Sequence, residues 1–275
     1  MRATLLSLLA VALAAVGAAS AGQDAPSAAI LAALNAQRIA NGIPGHVREN
    51  AGWSEKCARH IAYMGQTGTF AHSEDPASPA YSAAGNWAGE NSVLAMGSSW
   101  PAGGPFATAP IHLIQLMSPE LRQVGVEASS NYVCVTTWPG YAASGWKRTT
   151  VFSVPGNGAT GAPYAETANE LPLVPGDFVG LPRGTRTGFN IMVYAEHVRD
   201  PWHLHITAAT LTGPSGPVAL RTVDRTTPTV GPYLPPGSGF LIPVSPLAPG
   251  TTYRATVAFG GGQAQRTWHF TTTTR

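Results

Sequence analysis

The sequence predicts an α+β domain, with helices and a short antiparallel sheet in three layers, followed by an all-β sandwich. Three observations carry this. Apolar residues recur at helical spacing in two early segments, and a pair of short apolar strands follows them. From Thr150 onward, short stretches alternate apolar and polar residues between turn signals. Between these two patterns the chain loosens at Tyr141-Ala142-Ala143-Ser144-Gly145, which divides it into residues 22–148 and 149–275.

Composition narrows the class. Charged residues are only 11% of the chain against 44% hydrophobic, with 31 glycines and 24 prolines and no short repeat. A weakly charged, loop-rich chain with enough apolar residues to build cores fits an extracellular protein better than a disordered one. The net charge of +2, without a basic run, points away from nucleic acid. At the start, Arg2, an apolar run over residues 5–16 and Ala19-Ser20-Ala21 have the form of a signal peptide, residues 1–21, cleaved after Ala21. That run is short for a membrane span. Secretion is therefore expected, without a membrane-spanning segment.

In chain order, Ile30, Leu31, Leu34 and Ile39 place a first helix over 28–40, ended by Asn41-Gly42. Trp53, Cys57, Ile61 and Met64 form the apolar stripe of a second helix, 52–65. His60 sits beside that stripe and reads as a packing residue. Residues 69–91 read as irregular, and a short helix follows over 106–116, with Pro110 as a distortion. Residues 124–126 and 132–137 read as a hairpin, its first strand broken by Gly125. Later strands are expected at 150–154, 189–194, 204–211, 218–223, 240–244, 253–259 and 267–272.

Cys57 and Cys134 are the two cysteines, and in an oxidising compartment a bridge between them would stabilise by about 4 kcal/mol on the chain-entropy account. Two separately buried thiols fit the same apolar settings. The sequence leaves both open.

The candidate site lies within residues 70–126. His72, Glu90 and His112 are too far apart for one helix face, so only tertiary folding can assemble them into a cleft. In order, Leu34-Asn35-x-x-Arg38, the 53–64 helix, Phe70-Ala71-His72-Ser73, Gly89-Glu90-Asn91, the His112 helix and Val124-Gly125-Val126 resemble the bacterial branch of the CAP superfamily, named for cysteine-rich secretory, antigen-five and pathogenesis-related proteins. The resemblance covers residues 28–140 and implies an α-β-α sandwich with an open cleft. It also implies two histidines and two acids there, able to take a divalent metal. His72, Glu90 and His112 match three of these. The second acid is expected on the helix before His112, but residues 92–111 contain no Asp or Glu.

Two imidazoles and a carboxylate suit Zn²⁺ better than Ca²⁺. A metal-free hydrogen-bonded cluster is the alternative. The resemblance implies a lipid or peptide ligand, or a cell-wall component, rather than an agreed activity. A metal-dependent hydrolase is a second reading, but no His-Glu-x-x-His helix or Gly-x-Ser-x-Gly elbow is present, and Ser73 adjoins His72 too closely to be its nucleophile. No catalytic residue is assigned. Beyond the division, Pro246 to Tyr253 and Trp268 to Thr272 are similar to the last hairpin of bacterial immunoglobulin-like modules, which implies an adhesion or spacer role. His203 and His205, two residues apart, read as one solvated strand face.

Overall fold

The computed structural model describes residues 24–97, 104–142, 148–171 and 173–274. The expected signal peptide and most of the loosened stretch at 141–145 lie outside these residues. Within them the chain is a mixed α/β structure with four α-helices and three sheets.

Helix α1 spans Asp24–Ala40, starting earlier than its apolar spacing suggests. Leu34 is fully buried, whereas Ile39, expected on the same face, is exposed. Arg38 is also fully buried, an unusual place for a cation. After a two-residue strand β1 (Arg48–Glu49), helix α2 runs over Ala51–Thr67. The Asn50 side chain caps its start by accepting from the Trp53 N–H, and Gly68 ends it in the left-handed region.

A third helix, α3 (Ala83–Glu90), occupies part of the segment expected to be irregular. Its sequence, Ala-Ala-Gly-Asn-Trp-Ala-Gly-Glu, lacks an apolar stripe, and Ser82 starts it by accepting from the Gly85 N–H. Strand β2 (Ser92–Met96) follows directly. Helix α4 covers Pro110–Leu116, so Pro110 opens this helix at its first turn rather than distorting it. The hairpin is strands β3 (Gln123–Ala128) and β4 (Tyr132–Thr136). Gly125 does not break β3; it pairs with Thr136. A side chain there would collide with the backbone of Trp53, so the glycine lets α2 lie close on the sheet. The first sheet has the order β1-β3-β4-β2.

The cysteines are bridged: Cys57 on α2 joins Cys134 on β4. The bridge sits in a small core with Ile61, Met64 and Leu94, ringed by the hydroxyls of Ser92 and Thr136.

Beyond residue 148 the seven expected strands all form, within a few residues of their expected ends: β5 (Thr150–Val154), β7 (Ile191–Glu196), β8 (Ile206–Gly213), β10 (Leu220–Asp224), β11 (Ser238–Pro243), β12 (Thr252–Phe259) and β13 (Ala264–Thr272). Short strands β6 (Ala159–Ala162) and β9 (Gly216–Pro217) are additional. They make two sheets, β10-β11-β7-β5 and β6-β13-β12-β8-β9. Tyr253, Ala255, Val257 and Phe259 of β12 are buried, as their alternation requires. His203 and His205 lie before β8, not within it; both are exposed, and His203 pairs with Asp200.

One contiguous apolar cluster runs from Ile30 and Leu34 through Leu116 to Tyr194, Phe240 and Trp268. Polar ties cross the same seam. The Tyr194 hydroxyl donates to the Ile114 carbonyl at 3.0 Å, the Gln115 side-chain N–H to the Tyr233 carbonyl at 3.1 Å, and the Asn169 N–H to the Thr108 carbonyl at 2.7 Å. Helix α4 is thus seated against residues from both parts of the chain.

Candidate functional site

Three local devices place the candidate residues. His72 lies on the loop after α2, and buried His60 holds that loop. The His60 Nδ1 meets Glu74 at 3.0 Å and its Nε2 meets the Ala71 carbonyl at 2.9 Å. The Glu74 backbone N–H donates to the Asn86 side chain, and its carboxylate accepts from the Ser82 N–H, tying the loop to α3. His60 is therefore a satisfied packing residue, as its place beside the α2 stripe suggests.

Gly89 brings the loop and α3 together. A side chain at this position would run into the His72 carbonyl and the His60 ring. The close approach lets the His72 Nδ1–H donate to the Gly89 carbonyl at 2.8 Å. While the ring is neutral, that bond leaves the lone pair on Nε2. Burial is the main influence lowering the His72 pKa, with the neighbouring histidines adding to it and the Gly89 carbonyl opposing. All but the last favour the neutral ring.

His112 is placed by α4, and α4 is held at both ends by charge. At its N-terminus Ala109 offers no capping side chain. The missing acceptor comes from Glu170: its carboxylate accepts from the Ile111 N–H at 2.9 Å, the His112 N–H at 3.2 Å and the His112 Nδ1–H at 2.7 Å. Burial pushes the Glu170 carboxyl upward from its usual range, and these donors pull it part of the way back. At the other end, the Arg38 guanidinium donates to the Leu116 and Ser118 carbonyls at 2.6 and 2.8 Å. An anion at the N-terminus and a cation at the C-terminus both complement the helix dipole.

These placements bring His72 and His112 together. Their rings stack with centroids 5.8 Å apart and 21° between planes, and the Phe106 ring lies 6.0 Å from that of His112, with 11° between planes. Both Nδ1 atoms are engaged, so Nε2 is the nitrogen each ring keeps for a ligand. Glu90, at the end of α3, is exposed and shares one cavity wall with the two histidines. Among the described residues, no three His, Cys, Asp or Glu side chains gather as a set able to hold a metal ion.

Two cavities meet at the stacked rings. The larger, of about 440 Å³, is walled chiefly by Phe70, Leu94, Met96, Phe106, Ala109 and Leu171. The smaller, of about 310 Å³, adds Glu90, Ser92, Gln115, Trp138 and Tyr233 to the histidines. Leu171 borders both and is 70% exposed. Together they form a cleft of two mainly apolar chambers, in the size range of small-ligand sites, with Thr108, Asn169 and Glu170 on the wall of the larger and Glu90, Ser92 and Gln115 on that of the smaller.

No protein-family model matches this chain, and no curated protein matches it. The geometry has to carry the functional reading.

Sequence reasoning missed Glu170 and the wall residues Leu171 and Tyr233. The absence of an acid between residues 92 and 111 was visible, but nothing in the spacing pointed to an acid beyond residue 148. One local signal was available. A helix opening at Ala109-Pro110 without a capping side chain needs an acceptor from elsewhere.

Truncating Glu170 should expose that dependence. Glu170→Ala leaves the Ile111 N–H and the His112 ring N–H unpaired and the His112 N–H with only its 3.1 Å bond to the Ala109 carbonyl, and we expect a stability loss of about 2–3 kcal/mol. Amide hydrogen exchange at Ile111 and His112 should accelerate beyond what this loss explains for the sheet strands. Unchanged protection at both amides would contradict the capping role.

Proposed function

We propose that this is a secreted CAP-like protein whose cleft, built around His72, His112 and Glu90, binds a small, partly apolar ligand of the lipid or peptide class without transforming it. The observation that carries this reading is the pair of cavities meeting at the stacked histidines. The ordered motifs support the family: Arg38, Gly89, Glu90 and His112 all contribute to the cleft or to the elements that form it. The helices against the first sheet are compatible with an α-β-α sandwich, and the two later sheets with an immunoglobulin-like module. Secretion rests on the form of the first 21 residues, and no helix among the described residues is long and apolar enough to cross a membrane. No nucleophile lies within hydrogen-bonding reach of either ring in the contacts described, which favours binding over turnover.

A neutral environment-sensitive dye tests the cleft. Nile red should bind saturably to the full mature chain, and Leu171→Asn, at an exposed rim position, should weaken it about fivefold through lost apolar contact. Equal binding by both proteins would remove the cleft from this role.

Divalent metal is the second reading, favoured by two neighbouring imidazoles that each keep Nε2 available. A third protein donor would come from Glu90 by a side-chain movement, giving a set suited to zinc. Calorimetric titration with Zn²⁺ should show one site in the wild type and none in His72→Ala. The same response from both would eliminate this site. Binding of cell-wall polymer through the later sheets, and metal-dependent hydrolysis, have no comparable geometric support.

A further inference from the structure

We propose that the ligand of this cleft is a small amphiphile with a cationic ammonium head, its tail in the larger chamber and its head beside Glu90 in the smaller one. This rests on the cleft-binding reading and adds the sign of charge that the cleft selects.

Anion recognition is closed off first. A helix N-terminus beside a cavity is ordinarily an anion site, because its free N–H groups and dipole face the ligand. Here the Ile111 and His112 N–H groups already donate to the Glu170 carboxylate, so the chain supplies its own anion. Two further polar side chains of the smaller chamber are engaged within the protein. The Gln115 side-chain N–H goes to the Tyr233 carbonyl, and the Ser92 hydroxyl lies 3.0 Å from that of Thr136. Among the described residues neither chamber is lined by a lysine or an arginine.

What remains is complementary to a cation. Each histidine, while neutral, presents a lone pair on Nε2, because Nδ1 is committed to the Gly89 carbonyl or to Glu170. Glu90 adds a carboxylate to the smaller chamber, and the rings of Trp138 and Tyr233 form part of its wall. Aromatic faces with a nearby carboxylate attract ammonium groups, most strongly where water is partly excluded. The larger chamber then takes an alkyl tail against Leu94, Phe106 and Ala109. The stacked rings mark the junction between tail and head.

Three probes with the same tail separate the possibilities: decyltrimethylammonium, decanoate and decanol, each below self-association, titrated into the full mature chain by calorimetry. The ammonium should bind about tenfold or more tightly than decanoate. Glu90→Gln, at an exposed position, should weaken the ammonium about three- to tenfold and leave decanol unchanged. Decanoate binding as tightly as the ammonium, or ammonium affinity indifferent to Glu90→Gln, would overturn the charge preference while decanol binding still supported the cleft. Binding of none of the three would overturn the cleft reading along with it.

Discussion

The site depends on the charge clamp on α4. A helix of seven residues has too few internal hydrogen bonds to be stable alone. This one is fixed because Glu170 accepts from its first N–H groups, and Arg38 donates to its last carbonyl, Leu116, and to that of Ser118 just beyond it. Arg38 can remain buried because those carbonyls, with that of Pro44, accept from its guanidinium. The same Glu170 carboxylate grips the His112 ring. One acid therefore sets both the helix and the orientation of the side chain it carries. His72 comes to meet that ring through the glycine contact of α3 and the His60–Glu74 pair beneath the loop.

This arrangement spreads the cleft across the chain. His72, Glu90 and His112 come from the first 112 residues, whereas Glu170, Leu171, Leu173 and Tyr233 come from beyond residue 148. The ties from Tyr194 to Ile114 and from Gln115 to Tyr233 run along the same seam. A change in the later strands that shifts residues 169–173 would consequently reach the histidine pair without touching either ring. The two rings are also held differently. His72 rests on a neutral carbonyl and His112 on a carboxylate, so the cleft has two imidazoles of unequal electrostatic setting.

Much of the fold was legible because its signals are local. The stripe of Trp53, Cys57, Ile61 and Met64 specified α2, and the alternation of Tyr253 to Phe259 specified β12, since burial of one face imposes those periods. Helix α3 was not legible. Its glycines, which close packing against His72 and Glu74 demands, replace the apolar stripe by which a helix is recognised. Pro110 misled for a related reason, as the same residue distorts a helix interior yet suits its first turn. Of the site, the three residues named in advance do line one cavity. Glu170 escaped because its role comes from tertiary packing across 58 residues, and no spacing rule encodes that distance. The disulfide stood between: residue chemistry allowed it, and only the meeting of α2 with β4 decided it.

The most direct test of this account is the side-chain nitrogen spectrum of the two histidines, recorded by long-range proton–nitrogen NMR in the neutral form of both rings. Both His72 and His112 should carry hydrogen on Nδ1 and a bare Nε2, and Glu170→Gln should alter the His112 pattern while leaving His72 as it is. Hydrogen on Nε2 of both rings, or a His112 signal indifferent to Glu170, would contradict it.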